Sequence, residues 1–95
     1  MDKNTEELYE SLLVELSEWL AKNSSFSHAS WYDENGFYVQ LHLEKDDFVI
    51  DRFIEAMDFA DEIELYIFPT WDTVISSAVD EDDGTCFFEI WFYQD

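Results

Sequence analysis

From Phe37 to Glu44 apolar and polar residues alternate without interruption, with Phe37, Val39, Leu41 and Leu43 interleaved with Tyr38, Gln40, His42 and Glu44. Thr85 to Tyr93 repeats the pattern, with Cys86, Phe88, Ile90 and Phe92 set against Phe87, Glu89, Trp91 and Tyr93. A period of two sends successive side chains to opposite faces of an extended chain, so both stretches read as strands with one face on a core. Asn35-Gly36, just before the first stretch, is the preferred dipeptide of a tight hairpin turn, and residues 27–33 supply the partner strand. Centring the turn there sets Glu34 opposite Phe37 and His28 opposite Leu43.

Helical spacing surrounds this hairpin. Leu8, Leu12, Leu16, Trp19 and Leu20 recur in steps that give one apolar face, with Glu7, Glu10 and Glu18 opposite. Asn4 and Glu7 resemble a capping box, and the helix should fade at Lys22-Asn23-Ser24-Ser25. Asp46 and Asp47 offer N-caps for a second helix reaching about Asp61, with Ile50, Phe53, Ile54 and Met57 as its expected core face. Ile63 to Phe68 reads as a strand stopped by Pro69, Thr73 to Val79 as a less regular strand, and Asp80-Glu81-Asp82-Asp83-Gly84 as a turn. The expected fold is α+β, in the order α-β-β-α-β-β-β, with two helices on one face of an antiparallel sheet of four to five strands. No linker or internal repeat divides the 95 residues, so 1–95 is expected to form a single domain. The opposite sheet face would carry Tyr66, Phe68, Phe87, Trp91 and Tyr93 beside Glu64 and Glu89. Second core, dimer interface and docking surface all stay open as readings of that face.

Charge narrows the function. Acids outnumber bases 24 to 4, a formal net charge of −20. Such charge suits a disordered chain, but 47% hydrophobic and 19% aromatic residues supply a core, so the chain is read as folded. The polar start Met1-Asp2-Lys3-Asn4 lacks the apolar stretch of a signal peptide, and no apolar run is long enough to span a bilayer. A single cysteine, Cys86, rules out an intrachain disulfide. The expected location is the cytoplasm, or the host cytoplasm if the chain is phage-encoded. Anionic membranes and nucleic acid itself repel this chain, so neither is an expected direct partner.

The residues for catalysis are missing or misplaced. His28 and His42 fall on opposite faces of the hairpin and cannot share a metal or a proton. Cys86 belongs with Phe88 and Ile90, which makes it a buried, inert thiol. One cysteine and two separated histidines do not make a structural zinc site. Reading Gly84 or Gly36 as the central glycine of a calcium loop leaves Val79 and Ile90, or Trp31 and His42, at ligand positions, so both fail. Without a phosphate-binding glycine loop either, the chain is expected to be no enzyme and to carry no cofactor and no metal.

What remains is the arrangement of acids. Asp51, Glu55, Asp58 and Glu62 form a column along one face of the second helix, with neighbours about 5–6 Å apart along the axis. Phosphates advance about 3.4 Å per step of one DNA strand, a comparable regular row of negative charge. No Lys or Arg follows Arg52, so nothing further along the chain is expected to neutralise the column. Asp80, Glu81, Asp82 and Asp83 add a second anionic patch. Each adjacent like-charged pair is unfavourable by roughly 0.7 kcal/mol in water, which points to a use for the charge. Adaptation to molar salt is one explanation, but the wealth of Phe, Trp and Tyr favours binding to a basic partner.

Size, charge and this column resemble phage-encoded inhibitors that mimic nucleic acid and block restriction enzymes, CRISPR effectors or DNA-repair glycosylases. The resemblance implies a competitive mechanism, with Asp51, Glu55, Asp58 and Glu62, aided by Asp80 to Asp83, occupying the cationic track of a nucleic-acid-binding protein or nuclease. Exposed aromatics would supply the anchor for selectivity. An immunity or antitoxin protein that neutralises a nuclease toxin is the alternative, followed by a non-inhibitory acidic assembly subunit. A homodimer is compatible with each.

Overall fold

The structure, a computed structural model, describes residues 3–80 and 82–94. Two helices, α1 (Lys3–Lys22) and α2 (Ile50–Tyr66), alternate with two hairpins, β1 (Ser27–Asp33) with β2 (Gly36–Glu44), and β3 (Asp72–Val79) with β4 (Thr85–Tyr93). All pairings are antiparallel and the strand order is β1-β2-β4-β3, so the fold is α+β with both helices on one sheet face.

The two alternating stretches lie side by side at the centre. Phe37 pairs with Phe92, Val39 with Ile90, Leu41 with Phe88 and Leu43 with Cys86. All eight side chains are buried under the helices. Leu12 and Leu16 reach down from α1, and Ala56, Phe59, Ala60 and Ile63 from α2. Burying a side chain of Leu, Ile or Phe size contributes about 1.5–3 kcal/mol, so this single face supplies the main driving force.

Five local expectations are corrected. The segment 63–68 is not a strand, because α2 runs on through Tyr66 and the Ile63 carbonyl accepts from the Ile67 and Phe68 N–H groups at 2.9 and 3.2 Å. Its local alternation is overruled by a longer helical period through Ala56, Phe59, Ala60 and Ile63, and Pro69, which has no N–H to donate, stands just past the helix end. The order is therefore α-β-β-α-β-β, with four strands. The core face of α2 is also rotated from expectation, since Ile50, Ile54 and Met57 are exposed and Phe53 is half-buried. Small Ala56 and Ala60 let the helix backbone approach the sheet, so the side with the largest side chains is not the side that packs.

Asp46 and Asp47 do not cap α2. They sit in a separate short turn, Lys45–Asp47, and the N-cap is Val49. Asn4 lies inside α1 rather than ahead of its first turn. Finally, the hairpin turn is Glu34-Asn35, because Asp33 pairs with Gly36 and His28 with Leu41. The Asp33 carboxylate accepts the Asn35 N–H at 2.7 Å, which stabilises this turn, while Gly36 takes a φ of +135° as the first residue of β2. A register slip of two residues preserves faces, so His28 and His42 still lie on opposite sides of the sheet.

Candidate functional site

Asp51, Asp58 and Glu62 lie exposed on the side of α2 turned away from the sheet. Glu55 shares that side but is half-buried, and its carboxylate accepts from the Arg52 guanidinium at 2.7 Å. The base comes from the first turn of α2 itself, three residues before its partner, and not from further along the chain. Among the described residues, Asp51, Asp58 and Glu62 form no ion pair.

The column does not stand alone. Where α1 crosses α2, Trp19 rests on Phe59 at 4.8 Å between ring centres. Glu15 and Glu18 are thereby brought to the same groove as Glu62, a space of about 160 Å³ that Lys22 also lines. Glu15 and Glu18 of α1 and Glu62 of α2 therefore share one groove. Glu15 did not enter the sequence reading of this surface. Its signal is the run Glu15, Glu18, Lys22, spaced to flank Trp19 on the side of α1 that meets its neighbour.

The β3–β4 turn is built differently. Asp80 Oδ1 accepts the Asp82 N–H at 3.0 Å, and Asp83 Oδ1 accepts the Thr85 N–H at 2.8 Å. These two carboxylates fold the turn as well as charging it. Hydrogen bonds from the Thr85 side chain and backbone hold the Asp83 carboxyl below its ordinary value. Asp82 is exposed, and Glu81 lies outside the described residues. Thr85 pairs with Glu44, so the turn lies at the sheet end where β2 leads into Lys45–Asp47 and then α2. Asp51, in the first turn of α2, belongs to this same end, whereas Glu62 stands about 16 Å further along the helix axis.

The far side of the sheet carries the aromatics, with two corrections. Tyr66 is in the last turn of α2 and 72% exposed, and Phe68 is a core residue against Phe37, Trp71 and Phe92. Phe87, Trp91 and Tyr93 are on this face as expected, joined by Trp31, Tyr38 and His42 from the other hairpin. Trp31 lies 5.2 Å from Tyr38, Tyr38 6.1 Å from Trp91, and Trp91 4.2 Å from Tyr93, all with nearly parallel planes. Gln40 donates to Glu89 at 3.0 Å beside them. Packing among these rings, then the charges of Asp33 and Glu89 and a hydrogen bond to Asp33, hold the Tyr38 phenol above its ordinary value. The rings form no second core. They stay half-buried or exposed, while the buried side chains belong to the helix side.

The helices cover one sheet face and the aromatics occupy the other. The anionic and aromatic surfaces thus point away from each other, and one flat partner surface cannot touch both.

Among the described residues no group of three or more His, Cys, Asp or Glu is placed to hold a metal ion. Cys86 is buried. No described helix is long and apolar enough to cross a membrane. Comparison with family models, curated proteins and solved structures finds no match to this chain.

Proposed function

We propose that this chain is a nucleic-acid-mimicking inhibitor, of the phage anti-restriction or anti-CRISPR type, that blocks a nucleic-acid-binding protein or nuclease by filling its cationic groove. The observation that carries this reading is the shared surface of the helix layer, where Asp51, Asp58 and Glu62 stand exposed on α2 and Glu15 and Glu18 of α1 line the groove with Glu62. A net charge of −20 draws a basic groove toward the chain and accelerates encounter. On docking, Lys and Arg side chains that otherwise hold phosphates pair with the exposed carboxylates, and Asp82 prolongs the contact from the Asp51 end. The rigid helix presents these charges at fixed intervals with little conformational entropy left to lose, which favours binding over a flexible acidic tail. The inhibitor performs no chemistry of its own. Its effect is exclusion.

The test is displacement of fluorescently labelled duplex or single-stranded nucleic acid from purified restriction enzymes, CRISPR effectors, repair glycosylases and nucleases. Competitive displacement from at least one of them, weakening as salt is raised, is the expected result. Failure to displace nucleic acid from any of them at low salt contradicts the reading.

A further inference from the structure

The inhibitor reading leaves the open sheet face unused. Trp31, Tyr38 and Trp91 lie side by side on three adjacent strands, with neighbouring planes within 13° of parallel, and Tyr93 stacks on Trp91. The row ends in a cleft of about 580 Å³ at the β1–β2 turn, where Trp91 and Tyr93 stand near Asp33 and Glu34. Glu34 is exposed and forms no ion pair among the described residues. Trp31, at the other end of the row, is 38% exposed on an edge strand.

Aromatic faces attract cations through their quadrupole, and carboxylates attract them through charge. A guanidinium satisfies both together, because it is planar, stacks on rings and bonds a carboxylate through two N–H groups. We infer that the row Trp31–Tyr38–Trp91–Tyr93 and the adjoining Asp33/Glu34 cleft form a docking site for an arginine-bearing segment of a protein partner. The ring row lies on the sheet face opposite the helices, and the cleft at its end, which Thr5 of α1 also lines, shares no residue with the helix carboxylates, so the site does not depend on the inhibitor reading.

Charge complementarity selects this occupant over the others. A second copy docked on this face gathers the carboxylates Asp33, Glu34 and Glu89 of both copies into one interface. A single strand of nucleic acid stacks on aromatic platforms, but its phosphates meet a chain of charge −20. A lysine ammonium is a compact point charge with no plane to stack.

The experiment titrates the nitrogen-15-labelled chain at physiological ionic strength with three probes. Two are capped peptides of equal length and charge, alternating Arg-Ala or Lys-Ala, and the third is oligothymidylate. The Arg peptide is expected to shift the Trp31 and Trp91 indole signals saturably and to bind several-fold more tightly than the Lys peptide, with no response to oligothymidylate. Trp31→Ala and Glu34→Gln, both at exposed positions, are each expected to weaken the Arg peptide roughly two- to fivefold. A chain carrying D51N, E55Q, D58N and E62Q is expected to keep the indole shifts, even though it should displace nucleic acid from a target less effectively at low salt. Equal affinity for the two peptides, loss of the indole shifts in that fourfold variant, or binding of oligothymidylate overturns the inference. So does a dimer in sedimentation that Trp31→Ala dissociates.

Discussion

Alanine at position 36 separates two kinds of glycine in this chain. Gly36 has a φ of +135°, and a Cβ built there falls 2.2 Å from the Phe92 carbonyl oxygen and 2.9 Å from Trp91 Nε1. The first obstacle is backbone of the neighbouring central strand, so it cannot swing aside. The second is an indole whose N–H donates to the Asn35 carbonyl at 3.0 Å. Backbone strain at such a φ costs about 1–3 kcal/mol, and forcing the strands apart about 1–3 kcal/mol more. The entropy removed from the unfolded chain offsets about 0.4–1 kcal/mol. Gly36→Ala is therefore expected to destabilise the fold by about 2–5 kcal/mol. Gly84, at φ +74° with nothing within 4 Å of a built Cβ, carries only the left-handed penalty of about 1–2 kcal/mol with the same offset. Urea unfolding of both variants gives the comparison. With m near 1–3 kcal/mol/M, the Gly36→Ala midpoint should fall by roughly 1 M or more, and that of Gly84→Ala by clearly less. Equal midpoints for the two variants would refute the close approach of the β1–β2 turn to β4, and with it the geometry of the aromatic cleft.

Other consequences are directly measurable. Phe68→Ala should destabilise by about 3–5 kcal/mol in the same urea assay, whereas Tyr66→Ala should stay within about 0.5 kcal/mol, because one ring is in the core and the other in solvent. Asp83, whose carboxyl lies below its ordinary value of 3.8, contributes stability above that pH and loses it as pH falls through the lower folded value. The stability difference between wild type and Asp83→Ala should accordingly shrink on acidification below about pH 4. Asp58→Asn removes repulsion from Glu55 and Glu62, and should raise stability by up to about 1 kcal/mol at low salt, a gain that fades as salt screens the column.

The two central strands were legible because their evidence is one-dimensional. In β2 and β4 every second residue is large and apolar, and a pleated strand has no other way to bury such a set. The helix faces were harder for a physical reason. In α2 the residues that meet the sheet include Ala56 and Ala60, whose small size makes them good packing surfaces and poor sequence signals. Ile50, Ile54 and Met57 drew the eye and ended in solvent. Segment 63–68 carries both a two-residue and a helical period, and only the helical one continues the preceding turns. The column of Asp51, Glu55, Asp58 and Glu62 followed from spacing alone. Its pairing with Arg52 and its extension by Glu15 and Glu18 required knowing how α1 crosses α2. Trp31 and Tyr38 became part of an aromatic row only through the cross-strand register, which the turn dipeptide misplaced by two residues.

The claim that the helix carboxylates drive partner binding is tested most directly by association kinetics. The rate would be measured for wild type and for the chain carrying D51N, E55Q, D58N and E62Q, against a protein from which wild type displaces nucleic acid, over rising salt. The variant is expected to associate roughly tenfold or more slowly at low salt, with the two rates converging as salt increases. Matching rates at every salt concentration would contradict the account.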